Sequence, residues 1–340
     1  MTTYLRLARE ARGLTQTQVA DALRIAAPDL SRWERGLRPV PDHWLDQLAD
    51  HYGVLPDLLT SSDAVDGPVA GPVHHRQYKN VPAAVQKQID ARVMLHARAT
   101  AALLDGVELD VPFQVPELDV SPRQAAMLVR ANWRLPSGPI PDLVGVLERA
   151  GVIVLAEPFG TDRIAGLSVV RGTAFVVVVN TDCAWDRIRF TLAHEVGHLV
   201  MHRSVLDEHV ETEANDFASH FLMPDEDIAP DLVGRKLTWG YLLSLKPYWG
   251  CSAGATLQKA KALGAISERQ YVSIRKYISR TGQHRTEPNP LPPEQPTLLR
   301  EIVEVQRGDL GSWQGVASHA GTWQAQEIAR GYGGLRLASA

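Results

Sequence analysis

The chain reads as a multidomain protein: an all-α N-terminal domain, then an α+β domain with a helical C-terminal extension. Three observations predict this. Residues 2–60 carry helical apolar periodicity broken by glycine stops. Runs rich in β-branched residues cluster between 151 and 180, and a long apolar helical pattern follows them. Two stretches, SSDAVDGPVAGPV at 61–73 and EPNPLPPEQP at 287–296, have the proline-rich composition of connectors. A length of 340 residues suffices for two or three domains and at least one substantial core.

Within residues 1–60, Thr15 and Gln18 stand at capping-box spacing, and Val19, Ala20 and Leu23 give the helix behind them a buried face. A further helix is predicted from Pro28 through Arg35, closed by Gly36. Another runs through Trp44, Leu45 and Leu48 and ends before Gly53. Residues 61–80 form a linker, and 81–137 a helical connecting region with its main helix at 83–104. The domain at 138–287 opens with a helix over 143–149 and the strand GVIVLAE, followed by strands at 164–170 and 175–180. Leu242, Leu243, Leu245 and Trp249, then Leu257, Ala260 and Leu263, predict short packed helices. Residues 288–340 form a proline-rich linker and tail, whose LLREIVEV segment is expected to bind a partner or pack back on the preceding domain.

Composition narrows the function classes. A net charge of -4 and a pI near 6.3 give no global attraction to nucleic acid, so any DNA-binding surface must be local. Two cysteines, Cys183 and Cys251, make no disulfide framework and suit a reducing cytoplasm. The charged start MTTYLRLARE lacks a secretory apolar stretch, and the apolar run at 175–179 is far too short to span a bilayer. No membrane contact is expected.

The chemistry lies in RFTLAHEVGHLVMHR. His194 and His198 are four residues apart, so on a helix they face the same side and can converge on Zn2+. Glu195 falls where the H-E-x-x-H motif places its general base, the group that takes a proton from the attacking water and passes it to the leaving amine. Downstream, ETEANDFASHFLMP starts a second helix with acidic residues. Glu211 is read as the third ligand and Asn215, four residues on, as the partner that holds a ligating histidine. A shifted helix start would exchange Glu211 with Glu213. His202 extends the histidine face and is assigned a supporting or packing role, because four fixed ligands would close the coordination position that substrate needs. His209, His220 and Tyr241 are candidate oxyanion donors.

Two resemblances sharpen this reading. ARGLTQTQVADAL, LSRWERGLRPVP and LADHYGVLPDLL, within residues 8–59, resemble the helix-turn-helix domain of phage-repressor-like regulators, which implies a recognition helix after Ile25. Ala26 stands where a serine or threonine cap is usual, and Ala27-Pro28 replaces polar residues that face DNA. Residues 1–60 hold seven arginines and eight acids, a net of 7 - 8 = -1, so Arg32, Arg35 and Arg38 are the candidate phosphate contacts. Over 143–287, RFTLAHEVGHLVMHR, EANDFASHFLMP and LLSLKPYWGCSAGATLQKAKALGAISERQY resemble the ImmA/IrrE family of zinc-dependent proteases in the family's own order. That resemblance implies a zincin-like metallopeptidase fold, its zinc helices packed on a small sheet, and limited cleavage of a regulatory protein. The expected partners are a protein substrate, namely a transcriptional repressor or antitoxin, and double-stranded DNA; a homodimer is compatible with the sequence. The alternative is a DNA-binding transcriptional regulator whose metallopeptidase-like domain senses a metal or ligand without cutting protein.

Overall fold

A computed structural model of the chain describes residues 3–62, 81–109, 111–172, 174–202, 209–283 and 286–333. In chain order the elements are α1 (Tyr4–Ala11), α2 (Gln16–Leu23), α3 (Ala27–Glu34), α4 (Asp42–Tyr52), α5 (Pro56–Thr60), α6 (Ala83–Leu103), α7 (Pro122–Asn132) and α8 (Leu143–Arg149). The strands follow as β1 (Val152–Glu157), β2 (Gly166–Arg171) and β3 (Ala174–Asn180). Then come α9 (Trp185–Met201), α10 (Val210–Leu222), α11 (Asp225–Leu232), α12 (Trp239–Trp249), α13 (Ala253–Ala262), α14 (Glu268–Arg280), α15 (Leu298–Leu310), α16 (Trp313–Ala320) and α17 (Ala325–Gly331). The expected multidomain arrangement, helical first and α+β after, is what the molecule has. Most of the linker read at 61–80 lies outside the described residues. Among those described, no helix is long and apolar enough to cross a membrane.

The chain forms two compact units. The first comprises Met1–Asp110, Ser168–Val176 and Thr297–Ala340; the second comprises Val111–Leu167 and Val177–Pro296. The segment read as one connecting region is thus shared: α6 packs on α1, whereas α7 packs on α9 and α10.

In the first unit, the capping box forms as the sequence predicts, Thr15 Oγ1 accepting from Gln18 N at 3.2 Å while Gln18 Oε1 accepts from Thr15 N at 2.8 Å. What joins the first three helices is a buried ion pair. Glu34, only 1% exposed, takes a two-pronged contact from Arg9, at 2.6 Å from Nε and 2.9 Å from Nη2. Gln16 donates to the same carboxylate at 2.8 Å, and Thr3 Oγ1 donates to the Glu34 carbonyl at 2.9 Å. Trp33 is buried beside Leu30, a packing residue as its spacing implied.

The C-terminal segment, expected on a partner or on the preceding domain, packs in the first unit against α6 and the N-terminal helices. Val54 and Trp323 pair as an isolated bridge, Leu55 N donates to Thr322 O at 2.8 Å, and Gln324 N donates to Gly53 O at 3.1 Å. Arg12 lies over the Trp323 ring and pairs with Glu327 at 3.1 Å, while His96 meets the Tyr332 hydroxyl at 2.7 Å. Tail residues that looked featureless by periodicity gain their partners from helices far away in sequence.

The three strands are ordered β1-β3-β2. With so short a connection between them, β2 and β3 run antiparallel. The run of valines in β3 is almost wholly buried, and α8 covers β1 and touches α9. Asn180 closes β3 and organises the turn into α9: its Oδ1 accepts from Phe159 N at 3.1 Å and Asp182 N at 3.0 Å, and its Nδ2 donates to Ile164 O at 2.6 Å. The sequence placed β2 at 164–170; Ile164 and Ala165 are instead spent on this turn, since their carbonyls receive Asn180 Nδ2 and Asn180 N.

Candidate metal centre

Helix α9 is fixed at its first turns by buried charge. Asp186 lies 2.6 Å from Lys246 Nζ, which is 1% exposed and also reaches Glu287 at 3.3 Å. Arg189 is buried too, donating to Gly250 O at 2.9 Å and pairing with Glu294. Buried ions of this kind are costly when one partner is missing, so these pairs hold α9 in one place only while complete. Helix α10 then lies against α9 at Gly197. A Cβ at that glycine would sit 3.2 Å from the Ala214 Cα and 3.2 Å from the Phe217 ring, tighter than most packed carbon contacts, so the neighbours would have to give by a few tenths of an ångström. The far side of α10 is held by α7, where Arg130 donates to Phe221 O at 2.8 Å and Trp133 meets the Phe221 ring edge-on.

This close approach brings Glu211, in the first turn of α10, opposite the histidine face of α9. One ligand atom each from His194, His198 and Glu211 lie within 4.8 Å of one another. The two Nε2 atoms are 3.0 Å apart, and the Glu211 carboxylate oxygens stand 3.3 Å from His198 Nε2 and 3.8 Å from His194 Nε2. Ligand atoms about 2.0–2.1 Å from a tetrahedral zinc are separated by about 3.3 Å. The donor set has that spacing.

The hydrogen bonds around the histidines set which nitrogen faces inward. Asn215 Nδ2 donates to Glu211 O at 2.8 Å, which leaves Oδ1 as the acceptor 3.1 Å from His194 Nδ1. His194 is then protonated at Nδ1 and offers a bare Nε2. His202 Nε2 meets Glu213 Oε2 at 2.9 Å, and its Nδ1 meets His198 Nδ1 at 3.1 Å. A carboxylate only accepts, so a neutral His202 donates from Nε2 and accepts at Nδ1, and His198 likewise offers a bare Nε2. Burial pushes the imidazoles of His194 and His202 below the ordinary histidine range, toward the neutral form; at His194 the Glu195 and Glu211 carboxylates work the other way. Two nitrogen lone pairs and a carboxylate thus face one point. Such a convergence repels itself unless a cation occupies it, and its imidazole and oxygen donors suit Zn2+.

Glu195 is fully buried next to His194 on α9. Of the two acidic candidates for third ligand, Glu211 is in the cluster and Glu213 is turned to His202. Two of the three residues considered as oxyanion donors have partners elsewhere. Tyr241 donates its hydroxyl to Asp231 O at 3.0 Å, and His220 meets Asp225 at 3.2 Å and Lys259 at 3.1 Å. His220 is nine positions beyond Glu211 on the same helix, about 13 Å along its axis. His209 stands at the N-cap position of α10, its side chain exposed and making no cap hydrogen bond. Sequence reasoning missed Gly197, whose role depends on α10 packing opposite it. In the first unit, Arg32, Arg35 and Arg38 are all exposed, but Arg32 pairs with Asp29 at 3.0 Å and Arg35 Nε donates to Ser31 O at 3.1 Å. Ala26 makes no cap, and Pro28 occupies the first turn of α3.

A helix-borne His-His-Glu cluster packed beside a small sheet defines a metallopeptidase-like domain, and the chain carries it behind a helix-turn-helix domain. Residues 147–261 match the family model of the IrrE N-terminal-like domain, and residues 1–61 match that of a helix-turn-helix domain. A comparison with curated proteins finds no match.

Proposed function

We propose that the protein is a regulatory zinc-dependent endopeptidase that hydrolyses a peptide bond in a repressor, an antitoxin or a related control protein. The observation that carries this reading is the convergence of His194 Nε2, His198 Nε2 and the Glu211 carboxylate on one point. Bound there, zinc supplies a Lewis acid for the scissile carbonyl and lowers the pKa of water. His194, His198 and Glu211 would hold the ion, three ligands being the number that catalytic zinc sites use. The Glu195 carboxylate receives the proton of the attacking water and delivers it to the leaving amine, and its burial limits competition from bulk solvent. Asn215 keeps His194 in the ligating tautomer. The helix-turn-helix domain brings the peptidase to double-stranded DNA through Arg32, Arg35 and Arg38, or recognises another DNA-bound regulator.

The test compares wild type with Glu195→Gln, which keeps the ligands and removes the base. New protein N-termini generated in cells by the wild type are expected to fall by about 10²- to 10⁴-fold in the variant, with zinc content unchanged. Equal processing by both proteins defeats the assignment of Glu195. Zinc-dependent DNA binding with no processing by either identifies a metal-sensing regulator instead.

A further inference from the structure

The two histidines of the cluster are supported in different ways. Asn215, a neutral amide, holds His194 directly, and its orientation is set by its own bond to the Glu211 carbonyl. His198 is held by a longer chain: its Nδ1 meets His202 Nδ1 at 3.1 Å, and His202 Nε2 meets Glu213 Oε2 at 2.9 Å. The His202 side chain is 4% exposed while that of Glu213 is 47% exposed, so the chain runs from a ligand through a buried ring to a carboxylate at the surface. An ordinary surface ion pair would end at solvent on both sides. Here the far end of the pair is a metal ligand.

Resting on the zinc reading above, the geometry points to Glu213 as a positioning residue. Its carboxylate, acting through His202, keeps His198 protonated at Nδ1 with the Nε2 lone pair turned to the metal. The logic is directional. A histidine that ligates through Nε2 carries its proton on Nδ1, so the facing Nδ1 of His202 must accept; His202 then has its proton on Nε2, and only an acceptor can satisfy it there. Glu213 is that acceptor. Such partners fix ring orientation and raise ligand basicity, and their loss weakens metal binding without removing a ligand. The sequence places Glu213 two residues from Glu211, which makes the two look interchangeable. On α10 that offset turns one toward the cluster and the other toward His202.

The experiment uses the full chain in two measurements. Zinc affinity is read by competition with a chromophoric chelator for wild type, E213A, E213Q, H202A and E213A/H202A. E213A is expected to bind zinc about 10- to 100-fold more weakly, and E213Q less weakly than E213A because its carbonyl still accepts. H202A should lose as much as E213A, and the double variant no more than H202A, since both act on one chain. The second measurement is the long-range proton–nitrogen NMR spectrum of zinc-free protein. His198 should be the Nδ1–H tautomer in wild type and a mixture of tautomers in E213A. An E213A affinity within about twofold of wild type, or a double variant whose loss is the product of the two single losses, overturns the proposal. If the wild type binds no zinc, the metal reading fails, while the tautomer spectra still decide whether Glu213 positions His198.

Discussion

Helices α3 and α9 carry the two candidate sites of this chain and hold their side chains in opposite ways. On α9 the candidate residues are buried or half-buried, and both histidines are supported by a partner on α10 or by a chain that ends there. Around α3 the candidate arginines are exposed, and two of them already have partners within their own helical turn. What α3 buries is the Glu34 contact to Arg9, which serves the fold. The difference teaches that a buried site is specified by several helices at once, whereas an exposed one depends on local charge that solvent and a partner can rearrange.

The largest effect expected from breaking this contrast lies under α3. Glu34→Ala leaves Arg9 buried without its carboxylate, and loss of one partner of such a pair costs about 3–5 kcal/mol. Chemical denaturation should show the loss in the first unit's transition. A loss near zero would mean that water replaces the pair.

Gly197→Ala probes the corresponding contact beneath α9. A new Cβ against the Ala214 Cα is expected to push α10 out by a few tenths of an ångström, costing about 1–3 kcal/mol, against a gain of at most about 1 kcal/mol from replacing a helical glycine. Zinc affinity should fall with it, because Glu211 moves with α10. Unchanged affinity would show that α10 does not need this close approach to deliver its ligand.

The smallest effects belong to the exposed arginines. Replacing Arg32, Arg35 or Arg38 singly by alanine should leave the unfolding free energy within about 0.5 kcal/mol of wild type. Each that touches a phosphate should lower the slope of log affinity against log salt by about 1. Arg32 is expected to matter least because Asp29 already occupies it. Unchanged slopes for all three would move DNA contact away from this face.

The same contrast explains what the sequence made readable. Helical spacing placed His194 and His198 on one face, and capping chemistry located α2, because both rules act within a turn or two of chain. The valine-rich β3 and the helix over 143–149 were equally local signals. Gly197, the Glu213–His202 contact and the Arg9–Glu34 pair were not legible, since each depends on which distant helix packs opposite. The tail was the extreme case: Trp323 and Tyr332 fit no motif, and their role follows only from Val54, Arg12 and His96.

The central claim is that the His194, His198 and Glu211 atoms form one zinc site. It is tested most directly by metal analysis with X-ray absorption on protein stripped of metal and reloaded with a single equivalent of Zn2+. About one zinc per chain is expected, coordinated by two imidazole nitrogens at about 2.0–2.1 Å and by oxygen, with binding lost in Glu211→Ala and kept in Glu195→Gln. A chain that takes up no zinc, or an Glu211→Ala variant that binds it as tightly as wild type, would contradict it.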